Sequence, residues 1–131
     1  AYGIADRVDF VGHLIDITDV LRSADLFFLP SLWDGFGLAA VEALNASLPV
    51  VAADVPGLRE VVAPAGNPVA APDDVPAFAS ALADLLDHPE RRSALGRAGF
   101  DRAARYDRRH MKDAYLALWR GMLSERRSTG A

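Results

Sequence analysis

Over the first half of the chain, unbroken apolar runs alternate with segments of helical period. The runs are Val8 to Val11 (VDFV), Leu26 to Leu29 (LFFL), Val50 to Ala53 (VVAA) and a VAA run from Val69 to Ala71. Strands that are apolar at consecutive positions are buried on both faces, which predicts a parallel sheet covered by helices on each side. Between the runs, the pattern predicts a short helix through Asp19 to Ala24, capped by Thr18 or Asp16, and a second helix from about Gly37 to Ala46. A third starts at Pro56 and runs through Val62, and a Gly66-Asn67-Pro68 turn leads into the last run. Strand alternating with helix in this way is a doubly wound α/β arrangement.

After Ala71 the pattern is helical only. One helix is capped by Asp73 or Asp74, carries Pro76 in its first turn and places Phe78, Leu82, Leu85 and Leu86 at helical spacing. A second follows Pro89. The last starts from about Asp107 and aligns Met111, Tyr115, Leu118, Trp119 and Met122 on one stripe, which is expected to be core. The terminal SERRSTGA is expected to fray. The α/β part thus covers about residues 1-72 and the helical part about 73-127. Four strand candidates are fewer than the five or six usual for such a domain, so the chain is expected to lack the first strands of its sheet.

Composition narrows the function classes. At 131 residues with a hydrophobic fraction of 51%, the chain can bury a sizeable core and is not a disordered segment. The net charge is −4, and the basic residues are spread through the later helices rather than grouped with aromatics, which argues against nucleic acid as a partner. No cysteine is present, so there is no disulfide, thiol nucleophile or zinc-thiolate site, and His13, His88 and His110 have no second ligand at metal-site spacing. No apolar stretch reaches the roughly 20 residues of a membrane span, and a cytoplasmic protein is expected.

Residues 33 to 47 read WDGFGLAAVEALNAS. Two glycines at a helix entrance let a ligand approach the backbone, and the first N–H groups of the helix lie unpaired at the positive end of its dipole, where they can donate to a phosphate oxygen. The loop from Pro30 leaves the end of the LFFL strand, which is where ligands bind in open α/β sheets. Two carboxylates flank this turn. Glu42 lies about one and a half turns into the helix and Asp34 in the loop, and carboxylates accept strong hydrogen bonds from sugar hydroxyls. Glycines for an anion and acids for hydroxyls suit a nucleotide diphosphate sugar, with phosphate in the middle and sugars at either side.

The run ADLFFLPSLWDGFGLAAVEALNASLPVVAADVPGLREVV resembles the donor-site segment of retaining GT-B glycosyltransferases of the group 1 family (family 4). That family carries Glu-Gly-Phe-Gly after a strand ending in Leu-Pro-Ser, with a second Glu eight positions after the first. The resemblance extends from about Val8 to about Trp119. It implies a Rossmann-like donor-binding domain that helps transfer a sugar from a UDP- or GDP-sugar, with retention and without a further cofactor, to an acceptor that could be a saccharide, a lipid or a small molecule. By resemblance Asp34 and the following amides of Gly35, Phe36 and Gly37 contact the transferred sugar, the Leu38 amide contacts phosphate, and Glu42 binds the ribose. Asp34 and Glu42 are then the candidate catalytic acids. Ser31 belongs to the donor-binding set as the end of the Leu-Pro-Ser strand, and Gly12 and His13 as a loop bordering the nucleobase.

Two departures stand out. Asp34 is one methylene shorter than the usual Glu, and Ser47 ends the helix where relatives often place Gly, so Ser47 is expected to adopt a left-handed conformation. The family's Arg and Lys that neutralise the diphosphate, and its N-terminal acceptor domain, are not visible, since only Arg7 and Arg22 precede the turn. The isolated chain is therefore expected to be inactive, with a missing N-terminal domain as its partner. Two alternatives are kept. Gly35 to Ala40 satisfies G-x-G-x-x-A, with Asp54 at a plausible distance for a ribose, as in a dinucleotide-binding oxidoreductase. The chain could also be a non-catalytic interaction module.

Overall fold

Three short strands form one parallel sheet in the order β1-β2-β3: β1 Phe27–Leu29, β2 Val50–Ala53 and β3 Val69–Ala70. The computed structural model describes residues 2–128, with side chains described to residue 125. The register pairs Phe27 with Val50 and Leu29 with Ala52, and then Ala52 with Val69. β2 is the central strand, and all four of its residues are buried, as an unbroken apolar run requires. The first N–H of β2 is satisfied from outside the sheet, because Val50 donates to the buried side-chain carbonyl of Asn67 at 2.8 Å.

Helices α1 Thr18–Ser23, α2 Leu38–Asn45 and α3 Pro56–Val62 interleave with the strands, and α4 Val75–Asp87, α5 Pro89–Ala103 and α6 Arg108–Ser128 follow them. Parallel strands in sequential order place the crossover helices α2 and α3 on one face. Phe28 points to the other face, where its ring meets Phe78 of α4 edge-on at 5.3 Å between centroids. The core therefore lies on both sides of β2, with Leu44, Leu58, Val61, Val62 and Leu85 fully buried around it. Of the two cap candidates of α4 it is Asp74 that serves, its carboxylate accepting the Ala77 N–H at 3.0 Å.

Helix α2 ends as the sequence implies. Ser47 has φ 62°, and the N–H of Leu48 closes back on the Ala43 carbonyl at 3.0 Å. The Ser47 carbonyl then meets α5 so closely that a Cβ on Gly96 would collide with it, and a Cβ on Gly99 would lie 2.6 Å from Leu44 Cδ2. Glycine at both positions allows the close crossing of α2 and α5.

Two expectations need correction. Val8 to Val11 is not a strand: it makes no ladder, and Phe10 is 95% exposed. An apolar run reports local preference, whereas a strand needs a neighbour, and β1 pairs only with β2 among the described residues. The α6 stripe is not core either. Met111, Tyr115, Leu118, Trp119 and Met122 are each more than half exposed. Periodicity marks a face suited to burial without supplying what covers it. Within the helical part Leu86 is also exposed, although Phe78 and Leu85 are buried. Of the SERRSTGA segment, Ser124 to Ser128 form the last turn of α6, and residues 129–131 lie outside the described residues. No helix among the described residues is long and apolar enough to cross a membrane.

The junction of α4 and α5 carries a titrating group. His88 Nδ1 lies 2.8 Å from the Asp84 carbonyl oxygen, and this bond, helped by the carboxylates of Asp84, Glu90 and Asp87 against some desolvation, raises the His88 pKa above its ordinary value. A raised folded pKa means that the stabilisation is present below the unfolded pKa and is lost as pH rises through the folded value. His88→Ala is thus expected to lower the melting temperature more at about pH 5 than at about pH 8. Equal losses at both would show that the charge on His88 contributes nothing.

Candidate functional site

The glycine turn follows the carboxyl end of β1. Glycine at position 37 is required there: Gly37 is the N-terminal cap of α2, with φ 83° and ψ 40°, a left-handed conformation that a side chain would strain. Asp34 Oδ1 accepts from the N–H of Phe36 at 2.9 Å and from the N–H of Gly37. Two of the amides aimed at the mouth of the helix are therefore held by the protein's own carboxylate. The N–H groups of Leu38 and Ala39 have no protein acceptor among the described residues. With the Ala40 N–H buried, they are the accessible donors left at the positive end of α2.

Three neighbours fix the turn from outside. It lies against the first turn of α3, where a Cβ on Gly57 would stand 2.5 Å from the Asp34 carbonyl oxygen and 2.7 Å from the Phe36 nitrogen. Leu58 closes over Gly37, its Cδ2 only 2.9 Å from where a Cβ would be. The Phe36 ring meets the Tyr106 ring edge-on at 5.5 Å. Tyr106 is in turn held by Arg102 at 2.9 Å, and Arg102 donates to the Glu60 carbonyl of α3 at 2.7 Å. The helical half of the chain thus supports the loop that precedes α2.

Glu42 is exposed and stands between two clefts. One, of about 480 Å³, runs from Val41 and Asn45 to Tyr106, Asp107 and Arg108. The other, of about 300 Å³, is bounded by Ile15, Asp16, Thr18 and Arg22. The Thr18 hydroxyl and its N–H, 2.8 Å from Asp16 Oδ1, hold the Asp16 carboxyl below the usual carboxylate range. Ser31 is half-buried at the start of the loop. Gly12 and His13 lie in the exposed segment before α1; Gly12 has open space around it, and His13 makes no hydrogen bond or ion pair among the described residues. Asp34, Gly35, Phe36 and Gly37 thus form the turn that leads into Leu38, while Glu42 lies further along α2 on the two clefts, the smaller of which it shares with Ile15 to Thr18. Asp54, the acid of the dinucleotide alternative, is taken: Arg59 Nε and Nη2 engage both its oxygens, and this bond keeps its carboxyl below the ordinary value.

Gly57 and Tyr106 were not among the sequence candidates. A glycine in the first turn of a helix was the available signal for Gly57, since it costs stability unless another backbone comes close. Nothing local marks Tyr106.

Residues 1–102 match the family model described as Glycosyl transferases group 1. The chain belongs to the group 1 glycosyl transferases. Among curated relatives of this group 1 chain, it is 38% identical over 106 residues to the lipopolysaccharide core biosynthesis mannosyltransferase LpsB of Rhizobium meliloti (strain 1021), covering 79% of this chain and 30% of that one. It is 36% identical to a D-inositol 3-phosphate glycosyltransferase of Mycolicibacterium smegmatis, over 96% of this chain and 29% of that relative. The solved structure of sucrose-phosphate synthase from Thermosynechococcus elongatus superposes with a TM-score of 0.85 at 31% identity, over 95% of this chain and 32% of that one. The group 1 chain thus has the α/β fold of a GT-B Rossmann-like domain, and it spans about 30% of the length of the relatives it matches.

Proposed function

We propose that this chain supplies the donor-binding site of a glycosyltransferase that takes a sugar from a nucleotide diphosphate sugar with retention. The observation that carries the reading is the pairing of free Leu38 and Ala39 amides at the mouth of α2 with the exposed Glu42 carboxylate further along the same helix. A diphosphate at the mouth would accept from the amides, and a ribose hydroxyl would donate to Glu42. Gly35 is exposed beside the turn, Gly37 supplies the left-handed cap beneath Leu58, and Asp34 keeps Oδ2 free of protein hydrogen bonds among the described residues. The donor is a UDP- or GDP-sugar, and the acceptor a saccharide, lipid or small molecule.

The acceptor site would come from a second domain of the full-length protein, and the cations that stabilise the leaving diphosphate from an earlier part of the donor domain. Two observations support this: the relatives are much longer, and Phe10 and the α6 stripe expose apolar surface. On this reading the chain alone is inactive, because amides without cations leave the departing charge under-stabilised.

The test is titration of the full-length protein with UDP-glucose, GDP-mannose and NADH. Saturable binding of one nucleotide sugar and none of NADH is expected. Binding of NADH alone would replace this reading with the dinucleotide one.

A further inference from the structure

The Asp34 carboxylate raises a question that the donor reading leaves open, because an acid at the mouth of an anion site repels what the site is built to hold. Its geometry is that of a cap. Oδ1 accepts from the amides two and three residues ahead, an arrangement that a short acid side chain reaches and a longer one overshoots. The same residue is half-buried, with its carbonyl oxygen pressed against Gly57. The turn is thus bent by Asp34 from within and held by Gly57, Leu58 and Tyr106 from without.

We propose that Asp34 acts as a positioning residue: its carboxylate builds the glycine turn by occupying the Phe36 and Gly37 amides, and so directs a donor phosphate to the amides of Leu38 and Ala39. This rests on the donor-site reading above. Two consequences separate it from direct contact with the transferred sugar. A turn-builder affects any ligand whose phosphate uses the helix mouth, whether or not a sugar is attached, whereas a sugar ligand matters only when the sugar is present. A turn-builder is also replaceable by any side chain that offers the same acceptor, and Asn caps as well as Asp while carrying no charge.

The experiment compares Asp34→Ala, Asp34→Asn and Asp34→Glu with wild type in the full-length protein, measuring affinity for UDP, GDP, UDP-glucose and GDP-mannose by calorimetry. Asp34→Ala and Asp34→Glu are expected to weaken the free nucleoside diphosphate and its sugar conjugate by the same factor, about tenfold, the effect of losing one cap. Asp34→Asn is expected to restore both. Loss confined to the sugar conjugates in Asp34→Ala would overturn the proposal, as would an Asp34→Asn variant no better than Asp34→Ala.

Amide hydrogen exchange gives a readout independent of any ligand. Phe36 and Gly37 should exchange about tenfold faster in Asp34→Ala than in wild type, and at the wild-type rate in Asp34→Asn. Unchanged exchange in Asp34→Ala would refute the cap. A wild-type protein that binds none of the four probes yet shows this exchange pattern would overturn the donor reading, and with it the phosphate-directing role, while upholding the cap.

Discussion

Glu42→Ala in the full-length protein should lower kcat/KM for sugar transfer by about 10- to 100-fold, the scale of losing a charge-assisted hydrogen bond made to the donor. The fold should hardly notice. Glu42 is exposed and its carboxylate makes no hydrogen bond or ion pair among the described residues, while the neighbouring Ala43 and Leu44 supply the packing of α2. Alanine is also a better helix former, so the change in stability should stay within about 0.5 kcal/mol. Paired measurements of turnover and thermal unfolding check both halves. Wild-type turnover would remove Glu42 from the site, and a large drop in melting temperature would make its role structural.

Gly57→Ala should act on the same site from the opposite direction. Its new methyl group has no flexible side chain to push aside, since the nearest atoms are the backbone of Asp34, Gly35 and Phe36 within 2.8 Å. The turn must move off α3, or α3 off the turn. Stability should fall by about 1–3 kcal/mol, as for overpacking elsewhere, and the affinity for nucleotide sugar by about tenfold as the Leu38 and Ala39 amides lose their aim. Denaturant unfolding and donor titration measure the two effects. A variant with lowered stability and full donor affinity would show that the site tolerates displacement of its loop.

These outcomes depend on contacts of very different visibility in the sequence. The VVAA strand, the Asp74 cap and the left-handed Ser47 were legible because each follows from chemistry within a few residues. The glycine turn was legible for the same reason: Gly37 sits between a strand end and a helical period. The clearance at Gly57 and the Phe36–Tyr106 contact depend on segments about 20 and 70 residues from the turn, and no local pattern encodes them. VDFV and the α6 stripe misled for a related reason. Apolar character states that a surface favours burial, and whether it is buried depends on which partner the topology places beside it.

The two glycines of α5 also limit how this site can be redesigned. With Gly96 closed on the Ser47 carbonyl and Gly99 on Leu44, α2 has no slack on the side away from the clefts. The C-terminal end of α2 is thereby held against α5. On the proposed donor reading, attempts to change which nucleotide is accepted should mutate Ile15, Asp16, Ile17, Thr18 and Arg22, exposed residues that border the smaller cleft, and leave the buried Leu21 in place.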